Sequence, residues 1–330
     1  MKNNSFEEIW NKLKECKMVL ISLHKGPDGD SLGCCTAMKY VLERDFNCEV
    51  KLVSKDNLPA NLKDFDFVKE IEFGKKLDDF NLDNFDCIIF MDIGSLDLFY
   101  ASNEILDKIF TINIDHHETN SYFANLNYVD SFRPSACSIL LDLFRNMKIN
   151  FDKELSTRLA LGIYTDSGWL SHSSDAVKDM AFLINNGVDY VDGIVNKIKY
   201  NVPLKNKKYF SLIVDSFKIV EFEDYKIGIS SISKEEINKI GINLSEIRGG
   251  INYLQEIGGI DMLFTLAEMD EYIKGSFRSR KKINVSLFAK ELGGGGHKLA
   301  AAFRLSLMSL EEAEKKVLEV IKKVGIHKIE

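Results

Sequence analysis

Directly after the apolar run 109–114 stand an acid and two adjacent histidines, Asp115-His116-His117. The chain has six histidines in 330 residues, so a pair at the end of an expected strand is poorly suited to core packing. Neutral imidazole is a common ligand for metals near pH 7 and can also meet a phosphate. A histidine pair in an ordinary turn is the plainer alternative. Whatever else can complete a metal site decides between them.

Other candidate ligands occur in the same kind of place. His24-Lys25-Gly26-Pro27-Asp28-Gly29-Asp30 sets three of them in one turn, Asp92 follows the apolar run 87–91, and Asp166 sits in Tyr164-Thr165-Asp166-Ser167-Gly168. Taken alone, Asp-Gly-Asp reads as a solvated turn, and an aspartate after a strand reads as a helix cap. Two imidazoles and four carboxylates in one order, each at a strand end or in a turn, form instead the inventory for two divalent ions sharing a bridging carboxylate.

The elements that must position these groups follow from periodicity. Short, near-continuous apolar runs at 17–23, 48–53, 87–91 and 110–114 predict strands of a parallel sheet, and helical spacing marks 6–16, 31–44, 135–146 and 153–164. The alternation predicts a doubly wound, mainly parallel α/β domain, whose ligands collect where strands end. Later runs at 217–222, 226–231, 261–268, 272–277 and 303–305, with helices at 289–292 and 310–324, predict a smaller α/β domain with a mixed sheet. The expected organisation is 1–190, a linker at 191–210 that includes a charged connector at 205–208, and 211–330, with the active site in the cleft between the domains.

Composition limits the partners. A net charge of −7 argues against a broad face for long nucleic acid, while leaving room for a small phosphorylated substrate. Six cysteines without a CxxC pair fit reduced thiols in a cytoplasmic compartment. The start of the chain has no signal pattern, and no run approaches the roughly 20 apolar residues that span a bilayer. A soluble, unexported protein with no membrane partner is expected, and a homodimer is left open.

The four segments around His24, Asp92, Asp115-His116-His117 and Asp166 resemble, in order, the motifs of the DHH phosphoesterase superfamily. Gly293-Gly294-Gly295-Gly296-His297 with Lys298 resembles the signature of the DHH-associated C-terminal domain. The similarity runs from about His24 to Phe303. It is closest to the stand-alone nanoRNase, pAp phosphatase and cyclic-di-AMP or pApA phosphodiesterase type.

The resemblance implies that His24 and Asp28 hold one ion, that Asp30, His116 and Asp166 hold the other, and that Asp92 bridges them. His117 then faces the scissile phosphate, and Asp115 orients the histidines. Two such ions, with Mn²⁺ favoured by carboxylate and imidazole donors, activate a water for attack on phosphorus. Arg278 and Ser279 would grip a substrate phosphate, with Gly294, Gly295, Gly296, His297 and Lys298 cradling it at a helix start. Arg280, Lys281 and Lys282 extend the positive charge. The implied substrates are short oligoribonucleotides, pAp, pApA and cyclic-di-AMP.

The family often carries an arginine between aromatics after the fourth motif, where this chain has Trp169-Leu170-Ser171-His172. Whether His172 substitutes is open, and Trp169 is expected to pack. Two rival readings remain: a manganese-dependent inorganic pyrophosphatase, against which residues 293–297 speak, and a non-catalytic nucleotide-binding module, against which the complete ligand set speaks.

Overall fold

The computed structural model describes residues 3–102, 104–201, 203–242, 250–280 and 283–329. The chain divides into two compact units, Met1–Asn201 and Val202–Glu330. In the first, β1 (Met18–Ser22), β2 (Glu49–Ser54), β3 (Glu72–Phe73), β4 (Cys87–Met91), β5 (Thr111–Asp115) and β6 (Leu126–Val129) form one sheet in the order β3-β2-β1-β4-β5-β6. Every pairing is parallel. The order reverses between β1 and β4, and the crevice at such a reversal is where open α/β sheets receive ligands.

The helices of this unit are α1 (Phe6–Glu15), α2 (Gly29–Phe46), α3 (Ile105–Lys108), α4 (Ala136–Asn146), α5 (Lys153–Asp166), α6 (Ser174–Asn185) and α7 (Asn196–Lys199). Alternate strand residues enter different cores. Ile89 and Met91 join the layer under α1, α2, α4 and α5, whereas Ile88 and Phe90 meet Leu77, Phe99, Ile105 and Ile109 on the other face. That second face is covered by α3 and short 3-10 turns such as Leu77–Asp79, Leu82–Asn84 and Leu96–Leu98.

Local chemistry sets the helix ends near the site. Asp28 caps α2, its Oδ1 accepting from the Ser31 amide at 3.1 Å, so α2 starts two residues before the apolar spacing suggests. Helices α2 and α5 pack through glycine. A Cβ on Gly33 would stand 2.6 Å from the Arg158 carbonyl oxygen, and one on Gly162 would stand 2.5 Å from Asp30 Oδ1.

The second unit holds α8 (Leu204–Asp215), α9 (Lys234–Ile240), α10 (Gly250–Leu254), α11 (Ser286–Glu291) and α12 (Leu310–Val324). Its strands are β7 (Lys218–Phe222), β8 (Tyr225–Ile232), β9 (Met262–Glu268), β10 (Tyr272–Ser279), β11 (Gly295–His297) and β12 (Ala300–Ser306), in the order β11-β12-β10-β9-β8-β7. Only β8 and β9 pair in parallel among these neighbours, so the sheet is mixed. Among the described residues no helix is long and apolar enough to cross a membrane.

Two local expectations change. The glycine run does not open a helix: residues 295–297 form an edge strand, and the alanines after it continue into β12. Alternating burial along β12, with Ala301, Phe303 and Leu305 inward, is what overrides alanine's helical preference. Residues 205–208 lie inside α8 and do not form an open connector.

Candidate metal centre

Three adjacent strands deliver the imidazoles and the central carboxylate. His24 follows β1, Asp92 follows β4, and Asp115 ends β5 immediately before His116 and His117. The start of α2 adds Asp28 and Asp30, and the last residue of α5 adds Asp166.

The donors fall into two overlapping groups. His24 Nε2 lies 3.6 Å from Asp28 Oδ1 and 3.4 Å from Asp92 Oδ2. His116 Nε2 lies 3.3 Å from Asp92 Oδ1, 3.2 Å from Asp166 Oδ2 and 3.9 Å from Asp30 Oδ2. Asp92 therefore turns one oxygen to each histidine. His24, Asp28 and Asp92 are close enough to hold one ion, and Asp30, His116 and Asp166 to hold another.

The donor chemistry fits divalent cations. Asp92 Oδ1 is buried without a hydrogen-bond partner although His116 stands beside it, and a buried orphan oxygen is costly unless a cation meets it. Burial alone would raise Asp92, but His116 and His24 hold its carboxyl below the usual range. Asp30 moves the other way, well up, because it is buried and faces Asp92 and Asp166. Asp166 is pushed up to about 7 by desolvation, against His116 and with Asp92 and Asp28 adding, although 32% of its side chain still meets solvent. Burial opposes the charged forms of His24 and His116, yet their carboxylate neighbours raise both well above the ordinary value. Like-charge crowding thus favours the neutral forms of Asp30 and Asp166, while Asp92 keeps its charge between the two histidines.

Further contacts orient the donors. Asp30 accepts from the Ala136 and Cys137 amides at 2.6 and 3.0 Å, at the start of α4. His24 Nδ1 lies 2.9 Å from the Lys25 carbonyl, which directs Nε2 to the carboxylates. His117 Nδ1 pairs with Asp115 Oδ1 at 2.7 Å, and Asn120 donates to Asp115 Oδ2 at 2.6 Å and to Asn113 Oδ1 at 2.8 Å. Asn120 is a supporting residue that the sequence reading assigned no role, although it stands only five residues after Asp115. His172 packs its ring against Gly168, where a Cβ would lie 2.5 Å from Nδ1. Trp169, expected to pack, keeps 38% of its surface exposed, with Lys199 Nζ 5.0 Å from the ring centroid.

The second unit arranges its candidates along one sheet row. Arg278 on β10 pairs with Ala300 on β12, which pairs with His297 on β11. Residues of one antiparallel row share a face, so Arg278 and His297 flank a small alanine at about 10 Å, twice the strand spacing. Arg278 Nε is steadied by Asn252 Oδ1 at 3.2 Å, a partner no motif announces. Ser279 Oγ accepts from the Ile283 amide at 2.7 Å, and the Lys298 carbonyl accepts from Val285. Gly296, at φ +136°, has no room for a Cβ, which would approach the Ala300 carbonyl oxygen to 2.7 Å, whereas Gly295 faces open space. Lys281 and Lys282 lie outside the described residues, and Arg280 donates to the Ile257 carbonyl at 2.6 Å.

Residues 18–163 match the DHH family, N-terminal domain, and residues 222–323 match the DHHA1 domain. The chain carries a DHH domain and a DHHA1 domain. His24, Asp28, Asp30, Asp92 and Asp115-His116-His117 lie within the DHH match, Asp166 falls just beyond it, and Arg278 through Lys298 lie within the DHHA1 match.

The bifunctional oligoribonuclease and PAP phosphatase NrnA of Thermus thermophilus is 28% identical over 216 residues, covering 64% of this chain and 64% of its own length. The NrnA of Mycoplasma genitalium is 27% identical over 316 residues, covering 91% and 92%. Among solved structures, an exopolyphosphatase-related protein from Bacteroides fragilis shares the fold at a TM-score of 0.85 and 22% identity, covering 96% of this chain and 95% of that one.

Proposed function

We propose that this DHH phosphoesterase is a divalent-metal-dependent phosphodiesterase and phosphatase acting on short oligoribonucleotides and small adenine nucleotides: pAp, pApA and cyclic-di-AMP. The observation that carries the reading is Asp92, whose two oxygens face His24 and His116 separately. Likeness to the two NrnA proteins supports the substrate class.

Two bound divalent ions, with Mn²⁺ favoured by the mixed donors, would supply an activated water and neutralise the oxygens of an in-line displacement at phosphorus. His24 and Asp28 would hold one, Asp30, His116 and Asp166 the other, and Asp92 both. His117 is the candidate acid. Burial disfavours its charge, but Asp115 outweighs that and raises it, and the same contact fixes its tautomer. Replacing Asn120 by alanine is expected to lower kcat by about 10- to 100-fold by loosening Asp115. Unchanged kcat would remove Asn120 from the role.

Arg278 and His297 are assigned to the substrate phosphate, with Ser279, Gly294, Gly295, Gly296 and Lys298 around it. Ser279, whose hydroxyl already accepts from Ile283, would act through the backbone. Arg278→Ala is expected to raise KM for pApA by about 10- to 100-fold, the loss of one charge-assisted contact, with metal affinity unchanged. Equal KM in both proteins would exclude Arg278 as a substrate contact.

The reading is tested with pApA, pAp, cyclic-di-AMP, a short oligoribonucleotide and pyrophosphate, each with Mn²⁺ and with a chelator. Mononucleotide or phosphate release that the chelator abolishes is expected. Rapid pyrophosphate turnover with intact pApA would replace the reading by a pyrophosphatase. Six free, buried cysteines fit a cytoplasmic setting.

A further inference from the structure

A second cluster of reactive groups lies at the opposite ends of the same strands, where the metal-centre reading leaves it unused. Cys16 caps the C-terminus of α1, two residues before β1, and Cys87 opens β4. Their sulfurs are 3.5 Å apart across 71 residues of sequence, and both residues are buried. Asp86 clamps the two segments together. Its carboxylate accepts from the Lys17 and Met18 amides at 2.6 and 2.9 Å, and its own amide donates to the Met18 carbonyl at 2.8 Å.

We propose that Cys16 and Cys87 are an oxidisable dithiol, a modification site at which a small peroxide forms a disulfide that staples α1 to β4. A disulfide needs its sulfurs at about 2.05 Å, so the pair must close by roughly 1.5 Å. The Asp86 clamp holds the two segments together while the sulfurs close.

The two thiols are unlike. A hydrogen bond from Cys87 and the charge of Lys12 favour the Cys16 thiolate over the cost of its burial, and the same contact with Cys16, with burial, raises Cys87. The other four thiols are all raised, burial being the largest cause: Cys48 up to about 12, and Cys34, Cys35 and Cys137 well above the usual value. Cys16 is therefore the nucleophile. Its thiolate attacks one peroxide oxygen, the O–O bond breaks, and hydroxide leaves to take up a proton. Cys87 then attacks the sulfenic sulfur, the S–S bond forms, the S–O bond breaks, and a second water leaves with the Cys87 proton. Two thiols lose two electrons, and one peroxide becomes two waters. Because both thiols are buried, the oxidant would reach Cys16 through local opening of the last turn of α1.

The test uses the full chain treated with a small excess of hydrogen peroxide, then alkylated and digested for mass spectrometry. The expected product has lost two hydrogens, carries four alkylated cysteines and yields one linked peptide pair joining Cys16 to Cys87. Cys16→Ser and Cys87→Ser should each abolish the link, and Cys34→Ser should retain it. Oxidised wild-type protein should melt roughly 5 °C higher, reversibly with dithiothreitol, because a long loop is closed. A link among Cys34, Cys35 and Cys137, no loss of hydrogen, or an unchanged or lower melting point would overturn the proposal.

Discussion

Asp92→Asn is expected to lower kcat on pApA by at least about 10³-fold, the scale on which removal of a preorganised electrostatic group acts, and to weaken Mn²⁺ binding in a calorimetric titration. Asparagine is the informative replacement. Residue 92 has φ +60°, a left-handed conformation that asparagine tolerates and alanine does not. Alanine would mix backbone strain with lost ligation, whereas asparagine keeps the shape and removes the charge between His24 and His116. Circular dichroism of the variant should match that of the parent. Wild-type turnover, or undiminished Mn²⁺ affinity, would leave the shared-carboxylate model without its centre.

Gly162→Ala should couple stability to metal affinity. A Cβ there would overlap Cys137 Sγ and lie 2.5 Å from Asp30 Oδ1 and 3.0 Å from Asp30 Cα. None of these neighbours can retreat easily, since Asp30 is held by two α4 amides and Cys137 is fully buried. Overpacking of this kind costs about 1–3 kcal/mol, read as a lower denaturation midpoint, and displacing Asp30 should weaken Mn²⁺ binding by about 10- to 100-fold. Gly295→Ala is the control. Nothing lies within 4 Å of a Cβ there, so stability should change by no more than about 0.5 kcal/mol. Equal behaviour of the two variants would mean that α2 and α5 yield where the structure has them tight.

Much of this architecture could be read before folding. The runs ending at Met91 and near Ile114 become β4 and β5, and helical spacing at 310–324 becomes α12. Those segments were legible because the period of their apolar residues matches a buried strand or a one-sided helix. The six candidate donors stood out because strand ends and turns place unlike residues at one edge, and the fold brings their donor atoms close. The glycine run misled because its alanines suit a helix, and only the pairing of β11 with β12 and β12 with β10 makes them strand. Asn252 and the α4 amides carry no sequence signal of their support, since each acts through a partner distant along the chain.

The unequal cover on the two faces of the parallel sheet has a consequence for how such a chain can diverge. The face under α2 and α5 has no slack, because glycines without space for a methyl group set its spacing and three of the donors ride on those helices. The face under the 3-10 turns carries none of these donors, and a Cβ at Gly74 in its approach meets nothing within 4 Å. Insertions in surface connections cost little more as they lengthen, about 0.6 kcal/mol per doubling. Length changes between β3 and β4 are therefore the cheap edits, and the same insertion between α2 and the sheet would move the chemistry with it.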